Sequence, residues 1–302
     1  MLTKLRNAIK IVLYIKNWPS VILNTLIHKK SVTAHFRSGF AMGVDATTFE
    51  VFTHNMDFFR YFRDGKIEPP YASITYKRKR LTFNYGHLEP FSLGEVFGWG
   101  SYDPFSKGID FSNRVVIDIG AAFGDTPVYF AVLGAKKVVA IEPVSSLFKL
   151  TEENVKLNKL ESVCDVLHVG IGRAPLEDIS LDPTFSVVFG GYKPLKAEFT
   201  PDSRTPVITL ESLVEKYAVN NGVLKIDCEG WEYDILVSAS DALLRKFEYF
   251  IVEYHYGHEE LEKRFVSAGF EVSHTEPAHI HVSERQGKYA DMYIGMLFAK
   301  RK

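Results

Sequence analysis

The 302-residue sequence predicts an α/β protein. The expected architecture is a doubly wound, mostly parallel sheet of seven strands with an antiparallel last strand, preceded by an N-terminal α+β extension. Three observations carry that reading. From Val115 onward, short apolar runs alternate with helical stretches, as in repeated βα units. The runs are apolar throughout, which fits strands covered by helices on both faces. The chain closes on two strands, Phe270–Ser273 and Met292–Ala299, with no helix between them, as in an antiparallel hairpin.

Val115–Ile119 reads as the first strand, broken by one acid, Asp118. Thr126–Leu133 follows as a helix, with Thr126 as a candidate N-cap and Pro127 at the first helical position, where no N–H is needed. Lys137–Ile141 is the second strand, Ser145–Leu157 a helix and Cys164–Val169 the third strand. Gly170–Thr205 holds Gly190-Gly191 and four prolines, so it is irregular and expected to form a hairpin or a lid. Thr209–Val219 is a helix, Val223–Ile226 the fourth strand, Tyr233–Phe247 a helix, Tyr249–Tyr254 the fifth strand and Glu259–Ala268 a helix.

Upstream, residues 1–30 read as a basic amphipathic helical arm. Leu5, Ala8, Ile9, Val12 and Leu13 recur at helical spacing, Lys4, Arg6, Lys10 and Lys16 fall mostly outside that stripe, and Pro19 ends or kinks it. Residues 31–110 read as a small, mostly β region, rich in β-formers and aromatics at Phe49–Phe52 and Ile74–Tyr76. The run Lys77–Arg80 reads as a solvated turn. Residues 111–302 read as the main α/β domain. Residues 1–110 carry 15 Lys/Arg against 9 Asp/Glu, net +6, whereas residues 111–302 carry 21 against 28, net −7. The basic part therefore docks on the acidic body or meets an anionic surface: the helix within residues 1–30 packs on its own protein or, as the alternative, makes peripheral contact with a membrane. The formal net charge of −1 gives no global attraction to nucleic acid. No apolar run reaches the length of a membrane span, and Cys164 and Cys228 imply no disulfide framework, so a reducing, cytoplasmic setting fits.

The first strand runs into Gly120-Ala121-Ala122-Phe123-Gly124-Asp125 and then a helix. Gly120 can take dihedrals closed to other residues and lets a ligand approach the backbone. In a doubly wound fold such a turn lines a nucleotide crevice. Two details favour S-adenosyl-L-methionine over a dinucleotide. Ala122 stands where a pyrophosphate fingerprint needs glycine, and Asp118 suits an ammonium group while repelling a pyrophosphate. Glu142, before Pro143 at the end of the second strand, can accept both ribose hydroxyls of an adenosine. The candidate cofactor-binding residues are Asp118, Gly120, Ala121, Ala122, Gly124, Asp125, Glu142 and Pro143.

With Glu142-Pro143 and the later block Lys225-Ile226-Asp227-Cys228-Glu229-Gly230-Trp231-Glu232, the sequence resembles the FkbM-type methyltransferase family. That family carries D-x-G-A-N-x-G, E-P and K-I-D-x-E-G-x-E motifs. Asn154 and Asn158 on the second helix, Thr209-Leu210 before a helix and Glu253-Tyr254-His255 also match its pattern. The likeness covers roughly residues 95–272, and Ala122 replaces the usual Asn, a side chain expected to order the turn or touch the cofactor. The resemblance implies the Rossmann-like class I methyltransferase fold and S-adenosyl-L-methionine as cofactor. It also implies O-methylation of a hydroxyl on a sugar, polyketide or lipid-linked glycan.

Methyl transfer to a hydroxyl needs an oriented acceptor and a group that takes its proton. Asp227 and Glu229, running off the fourth strand, are the leading catalytic candidates. His255, ending the fifth strand, is the second candidate base because an unperturbed imidazole titrates near neutrality. Lys225 is a candidate partner for these carboxylates, Glu232 is expected to pair on its helix surface or favour the helix N-terminus, and Cys228 reads as core wall. Asp227, Glu229 and His255 could gather a cation, and His279 and His281 share one strand face, but no ligand spacing is closed and no metal is expected. The expected partner is a small-molecule or glycan acceptor, not nucleic acid, since the D/N-P-P-Y/F block that holds a nucleobase amine is absent. The alternative is a catalytically degenerate nucleoside-binding module, for which Ala122 is the sole hint.

Overall fold

The computed structural model describes residues 2–27, 30–86, 90–98, 102, 108–173, 176–180, 187–189, 192–195, 204–281 and 291–302. The chain forms two compact units, Met1–Ser101 and Tyr102–Lys302.

The first unit opens with a helix, Leu2–Tyr14. Ile11 and Ile15 are buried, whereas Ile9, Val12 and Leu13 of the stripe read from the sequence are exposed. Lys10 is not among the outward cations: it is buried, with Nζ 2.6 Å from Asp57 Oδ2. The mostly β reading of residues 31–110 needs correction at Phe49–Tyr61, which is a helix. Phe49, Phe52, Met56 and Phe59 recur every three or four residues, and that period outweighs the strand preference of aromatics. The remainder holds the pair Val32–His35 with Ala41–Val44 and a three-stranded antiparallel sheet of Lys66–Glu68, Tyr71–Tyr76 and Lys79–Asn84. Lys77 and Arg78 take positive φ at the turn between the last two strands, as a tight hairpin turn demands.

The second unit is built on strands β1 (Val115–Ile119), β2 (Lys137–Ile141), β3 (Cys164–Leu167), β4 (Gly222–Ile226), β5 (Phe247–Tyr254), β6 (Phe270–His274) and β7 (Asp291–Arg301). Their order is β3-β2-β1-β4-β5-β7-β6. The run from β3 to β5 is parallel, and β7 is antiparallel to both neighbours. A further short strand, Ala278–His281, pairs with the start of β7. Helices α1 (Asp125–Val132), α2 (Ser145–Leu157), α3 (Leu210–Lys216), α4 (Glu232–Ser238) and α5 (Glu259–Ser267) punctuate the strands. Ile117, Ile119, Val139, Ile141, Leu224 and Ile226 from the central strands form the buried core, as their unbroken apolar runs require. This is the class I methyltransferase sheet. Its topological switch point lies between β1 and β4, and ligands bind such sheets beyond the strand ends there.

Two local readings change, and a third is filled in. α1 begins at Asp125 with Gly124 in the N-cap position, so Thr126 and Pro127 lie inside the first turn. The single helix read over Tyr233–Phe247 stops at Ser238. Ala239 turns extended (ψ 141°), and the Ser240 hydroxyl, 3.2 Å from the Leu243 N–H, caps a separate short helix, Asp241–Leu244. Within the segment read as irregular, Gly170–Gly172 and Leu176–Ser180 both pair with Arg204–Thr209, and Val187–Phe189 pairs with Tyr192–Leu195 as a hairpin. The rest of the lid reading falls outside the described residues. Among the described residues, no helix is long and apolar enough to cross a membrane.

Candidate active site

At the switch point the end of β1 is fastened to both neighbouring strands. The Gly120 and Ala121 N–H groups both donate to the Ile141 carbonyl at 3.0 Å, and the Asp227 N–H donates to the Ile119 carbonyl at 3.0 Å. Gly120 has φ +80°, and a Cβ there would lie 1.7 Å from the Asp227 carbonyl oxygen, so only glycine lets the two strand ends approach. Lys225 Nζ, buried, donates to the Gly120 carbonyl at 2.7 Å and pairs with Asp118 Oδ1 at 3.1 Å. Asp118 Oδ2 accepts from the Thr126 hydroxyl at 2.6 Å. The fully buried Asp118 therefore faces internal partners, and the direct ammonium contact read from the sequence is not the arrangement its carboxylate makes. It shapes the turn from below.

From α2, the Thr151 hydroxyl donates to the Ala122 carbonyl at 2.7 Å and the Asn154 amide to the Phe123 carbonyl at 2.6 Å. Asn154 is legible in the sequence only through the resemblance, and Thr151 is not, because a helix-interior threonine carries no signal of its own. Ala122 has φ +49°. An L-residue with a Cβ is disfavoured there by about 1–2 kcal/mol, and asparagine tolerates the region better. Ala122→Asn should therefore raise the stability by about 0.5–1 kcal/mol, read as a thermal midpoint about 1–4 °C higher in a calorimetric scan. An unchanged or lower midpoint would show that the turn carries no such strain.

Glu142 lies under the turn. Its Oε2 accepts from the Ala122 N–H and its Oε1 from the Val144 N–H, both at 2.9 Å. Burial pushes its pKa up to about 8, against the pull of these two hydrogen bonds. In its ionised form each oxygen keeps a further lone pair, so the carboxylate matches hydroxyl donors such as those of a ribose. Asp125 opens α1 with its pKa pushed up to about 7 by burial. Ala121 is fully buried, and the Pro143 carbonyl accepts from the Thr205 hydroxyl at 3.0 Å.

Beyond β4 and β5 the chain gathers acids around one imidazole. His255 Nε2 lies 3.8 Å from Asp227 Oδ1 and 4.0 Å from Glu229 Oε2. Its Nδ1 lies 2.9 Å from Glu232 Oε1, which also accepts the His255 backbone N–H at 3.0 Å. Glu232 Oε2 accepts from the Gly230 N–H at 2.9 Å, and the side chain is wholly buried, not on the helix surface as the sequence reading had it. Burial alone would lower the His255 pKa, but Glu232, then Glu229 and Asp227, push it up to about 10. The pair with Glu232 thus favours the charged form of His255 and disfavours it as a base. Asp227 is the partly open member, its side chain 30% exposed against 3% for His255.

Two residues join that the sequence did not single out for chemistry. Glu253 on β5 places a carboxylate oxygen within 4.8 Å of ligating atoms of Asp227 and His255. Tyr102 is buried, and its hydroxyl pKa is raised well above the usual value by that burial and by Asp227, Glu253, Asp125 and Asp118. The Cys228 thiol pKa is likewise raised by burial and by Glu232, as suits a core position rather than a nucleophile.

A glycine turn at the switch point of this sheet, with a buried acid ending the next strand, is the arrangement of the class I S-adenosylmethionine-dependent methyltransferase fold. Residues 118–283, more than half of the chain, match the methyltransferase FkbM domain, and the chain belongs to that family. A stretch of 69 residues is 35% identical to ribosomal protein L11 methyltransferase of Herpetosiphon aurantiacus, covering 23% of this chain and 22% of that protein. The chain thus spans under a quarter of that relative's length. Among solved structures, TrmK of M. capricolum with S-adenosylhomocysteine is 13% identical with a TM-score of 0.41, over 66% of this chain and 67% of its own. The tRNA m1G37 methyltransferase of M. jannaschii is 15% identical with a TM-score of 0.40, over 78% and 58%.

Proposed function

We propose that the protein methylates a hydroxyl oxygen of a sugar, polyketide or lipid-linked glycan. The observation that carries this reading is Asp227, a partly open carboxylate at the end of β4 that lies 3.8 Å from a buried imidazolium. When bound, S-adenosylmethionine supplies an electrophilic methyl group whose leaving group is a neutral thioether. Glu142 would hold its ribose hydroxyls, and the backbone from Gly120 to Gly124 would receive it at the strand end. Asp227 accepts the hydrogen bond of the acceptor hydroxyl and takes its proton. Glu229 lines the same edge, and His255, held cationic by Glu232, keeps the two carboxylates in place as a positioning residue.

Trp231, 57% exposed one residue past Gly230, offers an apolar face on which a sugar ring can lie. The concentration of carboxylates on this edge disfavours a phosphate-rich nucleic acid at the point of reaction.

The test is methyl transfer from labelled S-adenosylmethionine to a panel of glycosides, hydroxylated polyketides, lipid-linked glycans and tRNA. Product on hydroxyl compounds alone is expected. Asp227→Asn should lower turnover on the order of 10²-fold while S-adenosylhomocysteine affinity stays within about threefold. Methylation of tRNA alone would overturn the acceptor class, and undiminished turnover in Asp227→Asn would remove its catalytic role.

A further inference from the structure

The helix Leu2–Tyr14 has two apolar sides, and its own unit covers one of them. Ile11, and Ile15 just past the helix, are buried. The buried Lys10 ammonium is 2.6 Å from Asp57 Oδ2 on the helix Phe49–Tyr61, against which this side packs. Ile9, Val12 and Leu13 stand at i, i+3 and i+4, a row of their own turned away from Ile11. They are 53%, 40% and 58% exposed. In the segment that follows, Trp18 and Leu23 are exposed as well, while Val21 between them is buried.

Single exposed apolar residues are ordinary on a protein surface. Here they are concentrated: among the described residues, half of the large apolar side chains left exposed fall between Ile9 and Leu23. The row takes no part in the packing of the first unit, and transfer to an apolar medium would be favourable. The charge around it selects that medium. The first 44 residues hold seven Lys and Arg and no Asp or Glu. Lys16, Lys30 and Arg37 are exposed, and Arg37 sits at the end of the row, its Nε donating to the Leu13 carbonyl at 3.0 Å. A second copy docked face to face would press cations on cations. An anionic lipid surface instead offers hydrocarbon to the aliphatic row and phosphate to the cations around it. Tryptophan favours the level of the lipid headgroups, and Trp18 is exposed in the same stretch. A helix of 13 residues falls short of the roughly 20 that cross a bilayer, so it would lie along the surface.

We propose that the helix Leu2–Tyr14, with the segment to Leu23, is an interfacial anchor that holds the protein on an anionic membrane. Ile9, Val12 and Leu13 enter the acyl boundary, and the exposed cations meet the headgroups. The anchor rests on no residue of the second unit, so it stands apart from the acceptor class.

The test is flotation of the full chain with two vesicles, phosphatidylcholine alone and phosphatidylcholine with about 30% phosphatidylglycerol. Wild type should partition into the anionic vesicles at least about tenfold more strongly, and salt at about 0.5 M should shrink that advantage. The double variant Ile9→Ser, Leu13→Ser should weaken partitioning into the anionic vesicles at least about tenfold. Both side chains are exposed, so its thermal midpoint should stay that of wild type. Lys16→Glu should weaken binding to the anionic vesicles about fivefold or more and leave the neutral ones nearly unchanged. Recovery wholly in the soluble fraction with both vesicles overturns the proposal, as does flotation that survives in the double serine variant. Equal flotation with the two vesicles overturns the assignment to an anionic surface. A wild-type dimer in sedimentation velocity that the same double variant makes monomeric also overturns it, since the row would then face a second copy.

Discussion

Lys225→Met should destabilise the protein by about 3–5 kcal/mol in urea unfolding, because it strands a fully buried carboxylate. Asp118 has no solvent access, and among the described residues its polar partners are the Lys225 ammonium at 3.1 Å and the Thr126 hydroxyl at 2.6 Å. Burial pulls the Lys225 pKa down, but Asp118 and Asp227 outweigh it, so the pKa is raised and the ammonium stays charged. Methionine keeps the length and apolar stem and removes only the charge. The Gly120 carbonyl loses its 2.7 Å donor in the same change, so S-adenosylhomocysteine affinity should fall as well. The double variant Asp118→Leu, Lys225→Met should recover most of the stability, since a buried pair replaced by apolar groups is often close to neutral. It should not recover the affinity. A single variant that costs under about 1 kcal/mol would mean that water or another cation reaches Asp118, contrary to its burial.

The parts of this site legible in the sequence are those in which one segment carries both the signal and the reason for it. The apolar runs of β1, β2 and β4 announce a sheet covered on both faces, and Gly120 announces a left-handed turn that the structure shows at φ +80°. Glu142 is legible because it ends a strand in a fold whose second strand end meets a ribose. What escaped depends on partners far away in sequence. Glu232 looks like an acid placed for a helix dipole, and nothing local tells that β5 brings His255 against it. His255 looks like a neutral base for the same reason, since three acids from another segment set its charge. Tyr102 falls in the stretch read as a small, mostly β region, and at Phe49–Tyr61 aromatic content favours strand while the spacing favours helix. Tertiary context decides each of these.

The same buried pair makes Glu232 the other position of large effect. Glu232→Ala should cost about 3–5 kcal/mol, since it leaves a buried imidazolium and the N–H groups of Gly230 and His255 without their acceptor. Glu232→Gln separates the charge from the hydrogen bonds, because its amide oxygen can still accept from backbone. A histidine whose pKa is about 10 folded and 6.5 unfolded gives stability that is complete below pH 6.5 and is lost as the pH rises to 10. Glu142, raised to about 8, and Asp125, raised to about 7, act with the same sign at lower pH, so the wild-type curve alone does not isolate His255. The difference between wild type and Glu232→Gln does. In the variant the strongest force raising the His255 pKa is gone, so the gap in stability should be widest near pH 6.5 and narrow toward pH 10. A gap that is constant across that range would show that His255 does not carry the charge assigned to it, and would return it to the list of candidate bases beside Asp227.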